Sequence, residues 1–249
     1  MATDNNTTKR VAIVTGGSGG IGRVAVERLA RDGYSLVINY AGNATAADET
    51  VAAVQALGAE AFSFQADVAD EVAVTAMFDE AENTFGGIDV VVHTAGRMTL
   101  APVIDIDLDE LDSLHRTNIR GTFVVDQQAA RRLRPGGAII NFSTSVVGTQ
   151  FPTYGAYTAS KGAVEALTLI LARELRGRDI TVNAIAPGPT ATNLFLQGKD
   201  QAALERLANA VPLERLGQPS DIAEAIAFLA GPAGRWVNGQ NIRINGGLV

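Results

Sequence analysis

The chain contains no cysteine, which removes disulfides, thiolate nucleophiles and cysteine-ligated metal sites together. Histidine is nearly as scarce: His93 and His115 stand alone and far apart, which excludes a histidine-rich metal site. Lysine occurs only at Lys9, Lys161 and Lys199, and the densest basic grouping is Arg131-Arg132-Leu133-Arg134. With a net charge of −7, the chain lacks the concentrated positive surface that nucleic-acid phosphates require. Those arginines are expected in the last turn of a helix, beside its negative dipole end. No apolar run approaches the ~18 residues of a membrane span. Met1 to Thr8 is polar and has no signal-peptide core. The expectation is a soluble cytoplasmic protein with neither nucleic acid nor membrane as partner.

What the chain has is alanine, valine and glycine. Apolar residues make up 47% and aromatics only 6%, a balance that suits parallel strands covered by helices on both faces. Residues 10–15 read as a buried strand running into Gly16-Gly17-Ser18-Gly19-Gly20-Ile21-Gly22, and residues 23–32 as an amphipathic helix. Strand, glycine turn and helix in succession let backbone approach a pyrophosphate closely, with free N–H groups and the positive dipole end facing it. Further strands are expected over 35–40, 61–66, 88–93, 138–142, 181–185 and 241–244. Helices are expected over 44–57, 71–85, 108–133, 157–175, 201–209 and 220–229. This alternation predicts an α/β fold: a single-domain, Rossmann-type, doubly wound parallel sheet of about seven strands with helices on both faces. No linker, repeat or low-complexity block interrupts it, so one domain over residues 10–249 follows a flexible tail over 1–9.

In such sheets the ligand lies beyond the carboxyl ends of the strands. Those ends carry Gly16 to Gly22, Asn39-Tyr40, Asp67-Val68, Thr94-Ala95-Gly96, Ser143-Thr144-Ser145 and Pro187-Gly188. The chemistry is expected at Tyr157-Thr158-Ala159-Ser160-Lys161, where helical spacing brings a phenol and an ammonium to one face. A free tyrosine titrates near 10, so unaided it is a poor base at neutral pH. A cation within ~4–6 Å favours the phenolate and brings the group toward acid/base work.

Taken together, the chain resembles the short-chain dehydrogenase/reductase family, and within it bacterial 3-oxoacyl-carrier-protein reductases and related ketoreductases. The likeness rests on Thr15-Gly16-x-x-x-Gly20-Ile21-Gly22, Asp67-Val68, Ala95-Gly96, Asn118-x-x-Gly121, Ser145, Tyr157-x-x-x-Lys161, Asn183, Pro187-Gly188, Gly239-Gln240 and Gly246-Gly247. The resemblance implies Tyr157 as proton donor to a carbonyl oxygen, or as base in reverse. It implies Ser145 as hydrogen-bond partner of that oxygen, with Ser143 an alternative two positions earlier. Lys161 would lower the phenol's pKa and hold the nicotinamide ribose. Asn118 would hold a water linking Lys161 to solvent, or bridge a helix kink at 116–121. Gly16, Ser18, Gly20, Ile21 and Gly22 would meet the phosphates, and Asp67 with Val68 the adenine. Ala95 and Gly96 would line the ribose, and Pro187, Gly188, Thr190 and Thr192 the nicotinamide.

Two positions depart from the family's pattern. Thr94 stands where asparagine is usual, which questions a sheet-bracing hydrogen bond that a threonine hydroxyl could still supply. His93 before it is read as a strand-end residue satisfied by backbone. The second strand ends in Asn39-Tyr40-Ala41-Gly42-Asn43, without the carboxylate that an NAD enzyme would offer the ribose 2′-hydroxyl. The expected cofactor is therefore NADP, with NAD possible, and Asn39, Tyr40 and Asn43 beside its adenosine half.

Residues 191–212, with Leu194, Phe195, Leu196, Leu204 and Leu207, are expected to form an apolar lid over a small carbonyl or alcohol substrate. The leading expectation is NADPH-dependent reduction of a ketone to a secondary alcohol. An NAD-dependent alcohol, polyol or sugar dehydrogenase is the alternative, and a non-catalytic dinucleotide-sensing protein a further one. Family resemblance also implies a homotetramer.

Overall fold

The computed structural model describes residues 9–249; the expected tail lies almost wholly outside the described residues. Seven strands, β1 (Val11–Thr15), β2 (Ser35–Tyr40), β3 (Ala61–Gln65), β4 (Ile88–His93), β5 (Leu133–Phe142), β6 (Thr181–Pro187) and β7 (Asn241–Ile244), form one sheet in the order β3-β2-β1-β4-β5-β6-β7. All six pairings are parallel. The chain winds outward from β1 to β3, then returns to pair β4 with β1. The switch point therefore falls between β1 and β4, where a crevice opens at the strands' carboxyl ends.

Helices α1 (Gly20–Arg31), α2 (Ala44–Ala56), α3 (Glu71–Phe85), α4 (Leu108–His115), α5 (Gly121–Arg132), α6 (Val146–Thr149), α7 (Gly155–Glu174), α8 (Asn193–Leu196), α9 (Gln201–Asn209) and α10 (Pro219–Ala230) complete the element order. Alternation within β1 explains the two cores. Ala12 and Val14 face a cluster with Leu29 of α1 and Ile226 of α10, while Ile13 faces Phe78 of α3, Val125 of α5 and Leu171 of α7. Each fully buried side chain of this size contributes roughly 1.5–3 kcal/mol.

Several expected boundaries move by one or two residues, and three elements change more. Helix α1 starts at Gly20 and takes in the last glycines of the loop. The expected helix over 108–133 is divided by a π-helical turn, Arg116–Arg120. Strand β5 begins at Leu133, and its register with β4 slips between Ile88 and Val90, because Arg134 leaves the ladder to chelate Asp89.

Candidate active site

Helix α7 sets Tyr157 and Lys161 one turn apart on the face that closes the crevice. Lys161 is 5% exposed, and its Nζ donates to the Phe142 carbonyl at 2.7 Å while lying 6.0 Å from the Tyr157 ring centroid. Ser160 between them donates to the Tyr157 carbonyl at 2.7 Å and accepts from Asn118 Nδ2 at 3.0 Å. Asn118 sits in the π turn, where the extra residue turns its side chain inward. Its Oδ1 accepts from Arg97 N at 2.8 Å and its Nδ2 donates to Arg97 O at 2.9 Å. The π turn therefore clamps the chain leaving β4 against α7. A Cβ added at Gly96 would sit 3.3 Å from Asn118 Oδ1 and 3.4 Å from Lys161 Nζ, so this glycine keeps the two polar groups facing one small space.

Burial decides the electrostatics. It pushes the Tyr157 phenol up to about 12 and pulls the Lys161 ammonium down to about 8. The expected depression of the phenol is therefore reversed. Removing the phenolate from water costs more than a hydrogen bond from Thr144 returns, and the neighbouring Tyr154 raises the group further. Tyr157 therefore keeps its proton at neutral pH.

The two candidate serines separate cleanly. Ser143 donates to Glu165 Oε1 at 2.5 Å and is held away from acid/base work. Ser145, 2% exposed, donates to the Ala186 carbonyl at 3.0 Å and accepts from Asn245 Nδ2 at 3.0 Å. Asn245, immediately after β7, was not among the sequence candidates; its only signal is the Gly246-Gly247 pair behind it.

His93 is buried, and burial reinforced by Lys161 holds its imidazole down to about 3. Its Nδ1 lies 2.8 Å from Thr15 Oγ1, a side-chain partner instead of the expected backbone one. Thr94 supplies the brace the sequence left in question: its hydroxyl donates to the Thr15 carbonyl at 2.6 Å.

The glycine loop fits a pyrophosphate. Gly16 has φ +64, and a Cβ on Gly22 would fall 2.3 Å from the Gly16 carbonyl. Helix α1 follows an N-cap glycine, Gly19, with no side-chain cap and no acidic residue in its first turn, so its opening N–H groups suit an anion. By contrast, Asn43, Asp70 and Asp107 cap α2, α3 and α4 with their side chains.

One cleft of about 160 Å³ brings together Ile21, Gly96, Ser145, Tyr157, Lys161, Pro187, Gly188, Thr190 and Thr192. Ser18, Gly20, Tyr40, Asn43, Asp67, Val68 and Ala95 lie outside its lining, several of them at the ends of β2 and β3. Asn39 departs from its expected place among the ligand contacts. It is 1% exposed, its Nδ2 donates to the Ala66 carbonyl at 3.0 Å and its Oδ1 faces Gly16 N at 3.4 Å, so it supports the loop from beneath. Val68 is likewise buried, in a notch where a Cβ on Gly121 would meet its Cγ2 at 2.7 Å. Exposed Asp67 accepts from Ala69 N at 2.9 Å and pairs with Arg116. Although burial opposes its charge, those partners hold its carboxyl below the usual carboxylate range.

A parallel sheet with this switch point, an uncapped glycine-led helix and a tyrosine–lysine pair at the rim define a dinucleotide-dependent oxidoreductase. The family model described as Enoyl-(Acyl carrier protein) reductase matches residues 16–249. A "Short-chain type dehydrogenase/reductase" of Picea abies is 45% identical, the match covering 96% of this chain and 92% of that protein. The 3-oxoacyl-[acyl-carrier-protein] reductase of Staphylococcus aureus is 39% identical over 95% and 97%. A short chain dehydrogenase from Burkholderia cenocepacia, crystallised in complex with NADP, superposes with a TM-score of 0.91 at 37% identity, over 98% of this chain and 99% of that one. The chain belongs to the short-chain dehydrogenase/reductase family.

Proposed function

We propose that the protein is an NADPH-dependent carbonyl reductase that converts a ketone to a secondary alcohol with Tyr157 as proton donor. The observation that carries this is a half-buried phenol, protonated at neutral pH, one helical turn from a buried ammonium at the rim of the sheet. The dinucleotide, when bound, supplies a hydride to the carbonyl carbon. Tyr157 gives its proton to the carbonyl oxygen, which completes the alcohol. Ser145 orients that oxygen, for which its hydroxyl re-aims from Ala186. Lys161 stabilises the phenolate left behind, and its ammonium is placed to hold ribose hydroxyls. Asn118 supports a water that returns a proton through Lys161. The oxidative reading needs Tyr157 as the phenolate, which a group pushed to about 12 rarely is at neutrality.

The preference for the 2′-phosphorylated dinucleotide is supported by a β2 strand ending in Tyr40 with no carboxylate through Asn43, and by the NADP complex of the Burkholderia relative. Comparable kcat/KM for NADH and NADPH would overturn that preference. For the chemistry, Tyr157→Phe is expected to keep NADPH affinity in a fluorescence titration while turnover falls about 10²- to 10⁴-fold. Turnover retained in that variant would sink the assignment.

A further inference from the structure

Aromatic residues are 6% of the chain, yet Phe142, Phe151, Tyr154, Tyr157 and Phe195 all line the one cleft that holds the proton donor. Three of them form a continuous wall. The Phe151 and Tyr154 rings lie 6.2 Å apart and tilted by 59°. Those of Tyr154 and Tyr157 lie 6.5 Å apart at 61°. These are the tilted, edge-to-face spacings that aromatic rings favour, and the wall leads from Phe151 at the mouth, 39% exposed, to the reacting phenol.

The turn that carries Phe151 is strained. Gln150 and Thr153 have φ of 55 and 72, and for a β-branched threonine that is an outlier. Pro152 restricts the backbone between them, and the Thr153 carbonyl accepts from Ala101 N at 3.0 Å. Such strain persists where the surroundings over-determine it, and it clusters at ligand clamps. Here it places an aromatic ring half in water, where packing alone gives it little.

Of the other groups at the cleft, the outer ones are apolar and the cations have protein acceptors. Leu194 is 51% exposed. Phe195 is pinned by Lys199, whose Nζ lies 4.5 Å from the ring centroid and donates to the Phe195 carbonyl at 2.6 Å. The Arg97 guanidinium is bound to Ser113 and, at 3.3 Å, to Glu110. Lys161 donates to the Phe142 carbonyl at 2.7 Å, so each of these cations already has a protein acceptor.

We infer that the physiological substrate class is an uncharged ketone whose carbonyl is attached to a flat aromatic ring, with Phe151 and Tyr154 as the residues that set this specificity. An aryl ring continues the edge-to-face series, whereas an alkyl chain of equal size gains only buried area. This deepens the carbonyl-reductase reading and rests on it.

The test is steady-state kinetics at saturating NADPH with 2-acetonaphthone, 2-dodecanone and acetoacetyl-coenzyme A. The aryl ketone is expected to show kcat/KM at least about tenfold above the matched alkyl ketone, and higher still above the anionic thioester. Phe151→Ala is expected to lower kcat/KM for the aryl ketone by about tenfold, mostly through KM, and to leave the alkyl ketone within about twofold. Equal use of aryl and alkyl ketones by the wild type, or an equal loss on both in Phe151→Ala, would overturn the inference while leaving the carbonyl-reductase reading standing. No turnover of any of the three would remove that reading and this inference with it. Thr153→Gly, which relaxes the turn, is expected to raise the melting temperature and to reduce the aryl advantage. A raised melting temperature with unchanged discrimination would show that the strain serves no ligand.

Discussion

At the scale of single residues, the proposed chemistry depends on a half-buried Tyr157 lying one turn from a buried Lys161. A phenol pushed up to about 12 is the donor form throughout the physiological range, whereas an ammonium pulled down to about 8 loses its charge just above it. Ketone reduction is therefore expected to be level below pH 8 and to fall as Lys161 deprotonates above it. Alcohol oxidation needs the phenolate, whose fraction grows about tenfold per pH unit while the group stays well below its pKa, so that direction should climb from neutral pH. Initial rates in both directions from pH 6 to 10 check this; a reduction rate rising through pH 9 would contradict it.

Ser145 has its own dependence. Asn245 Nδ2 donates to its oxygen from 100 positions away, fixing the hydroxyl rotor and strengthening it as a donor. Asn245→Ala is expected to lower kcat about tenfold in wild type and to add almost nothing in a Ser145→Ala background, the signature of two residues acting as one unit. Additive losses in that cycle would mean that Asn245 acts elsewhere. Tyr157 and Lys161 were legible in the sequence because their pairing is set by one helical turn. Asn245 and Phe151 were not, because their roles arise from contacts and backbone strain with no local spacing. Asn39 was misplaced because a side chain's direction at a strand end is decided by the loop packed above it.

At the scale of elements, the two informative places are where a regular pattern fails. The expected helix over 108–133 is interrupted by a π turn; the kink at 116–121 was legible, and its inserted residue was not. The start of α1 is the second. Gly19 has φ −162, extended backbone open to any residue, and an added Cβ would meet nothing within 4 Å. Gly19→Asp is therefore expected to cap α1 and stabilise the protein by about 0.5–1 kcal/mol. The same carboxylate would sit where the pyrophosphate belongs and weaken NADPH binding at least about tenfold. Melting curves and a fluorescence titration on one sample check both. A gain in stability with unchanged affinity would place the dinucleotide elsewhere.

At the scale of the whole molecule, seven alternating strands were enough to read a parallel, doubly wound sheet, since parallel neighbours require crossovers that helices supply. The strand order is another matter: periodicity says nothing about which strand β4 will join. Self-association belongs here too. Phe123 of α5 and Ile170 of α7 are 54% and 53% exposed, on helices whose inner faces already meet the sheet. We expect a homotetramer, seen in light scattering as about four times the 26.0 kDa chain; a monomer at micromolar concentration would refute it.

The bare opening of α1 has a consequence beyond binding. A helix end whose donors wait for an anion leaves the empty protein less stable than the loaded one, by about 2.7 kcal/mol when free dinucleotide stands at a hundred times its dissociation constant. Resistance to proteolysis in vitro is then expected to rise with the concentration of the reduced nucleotide.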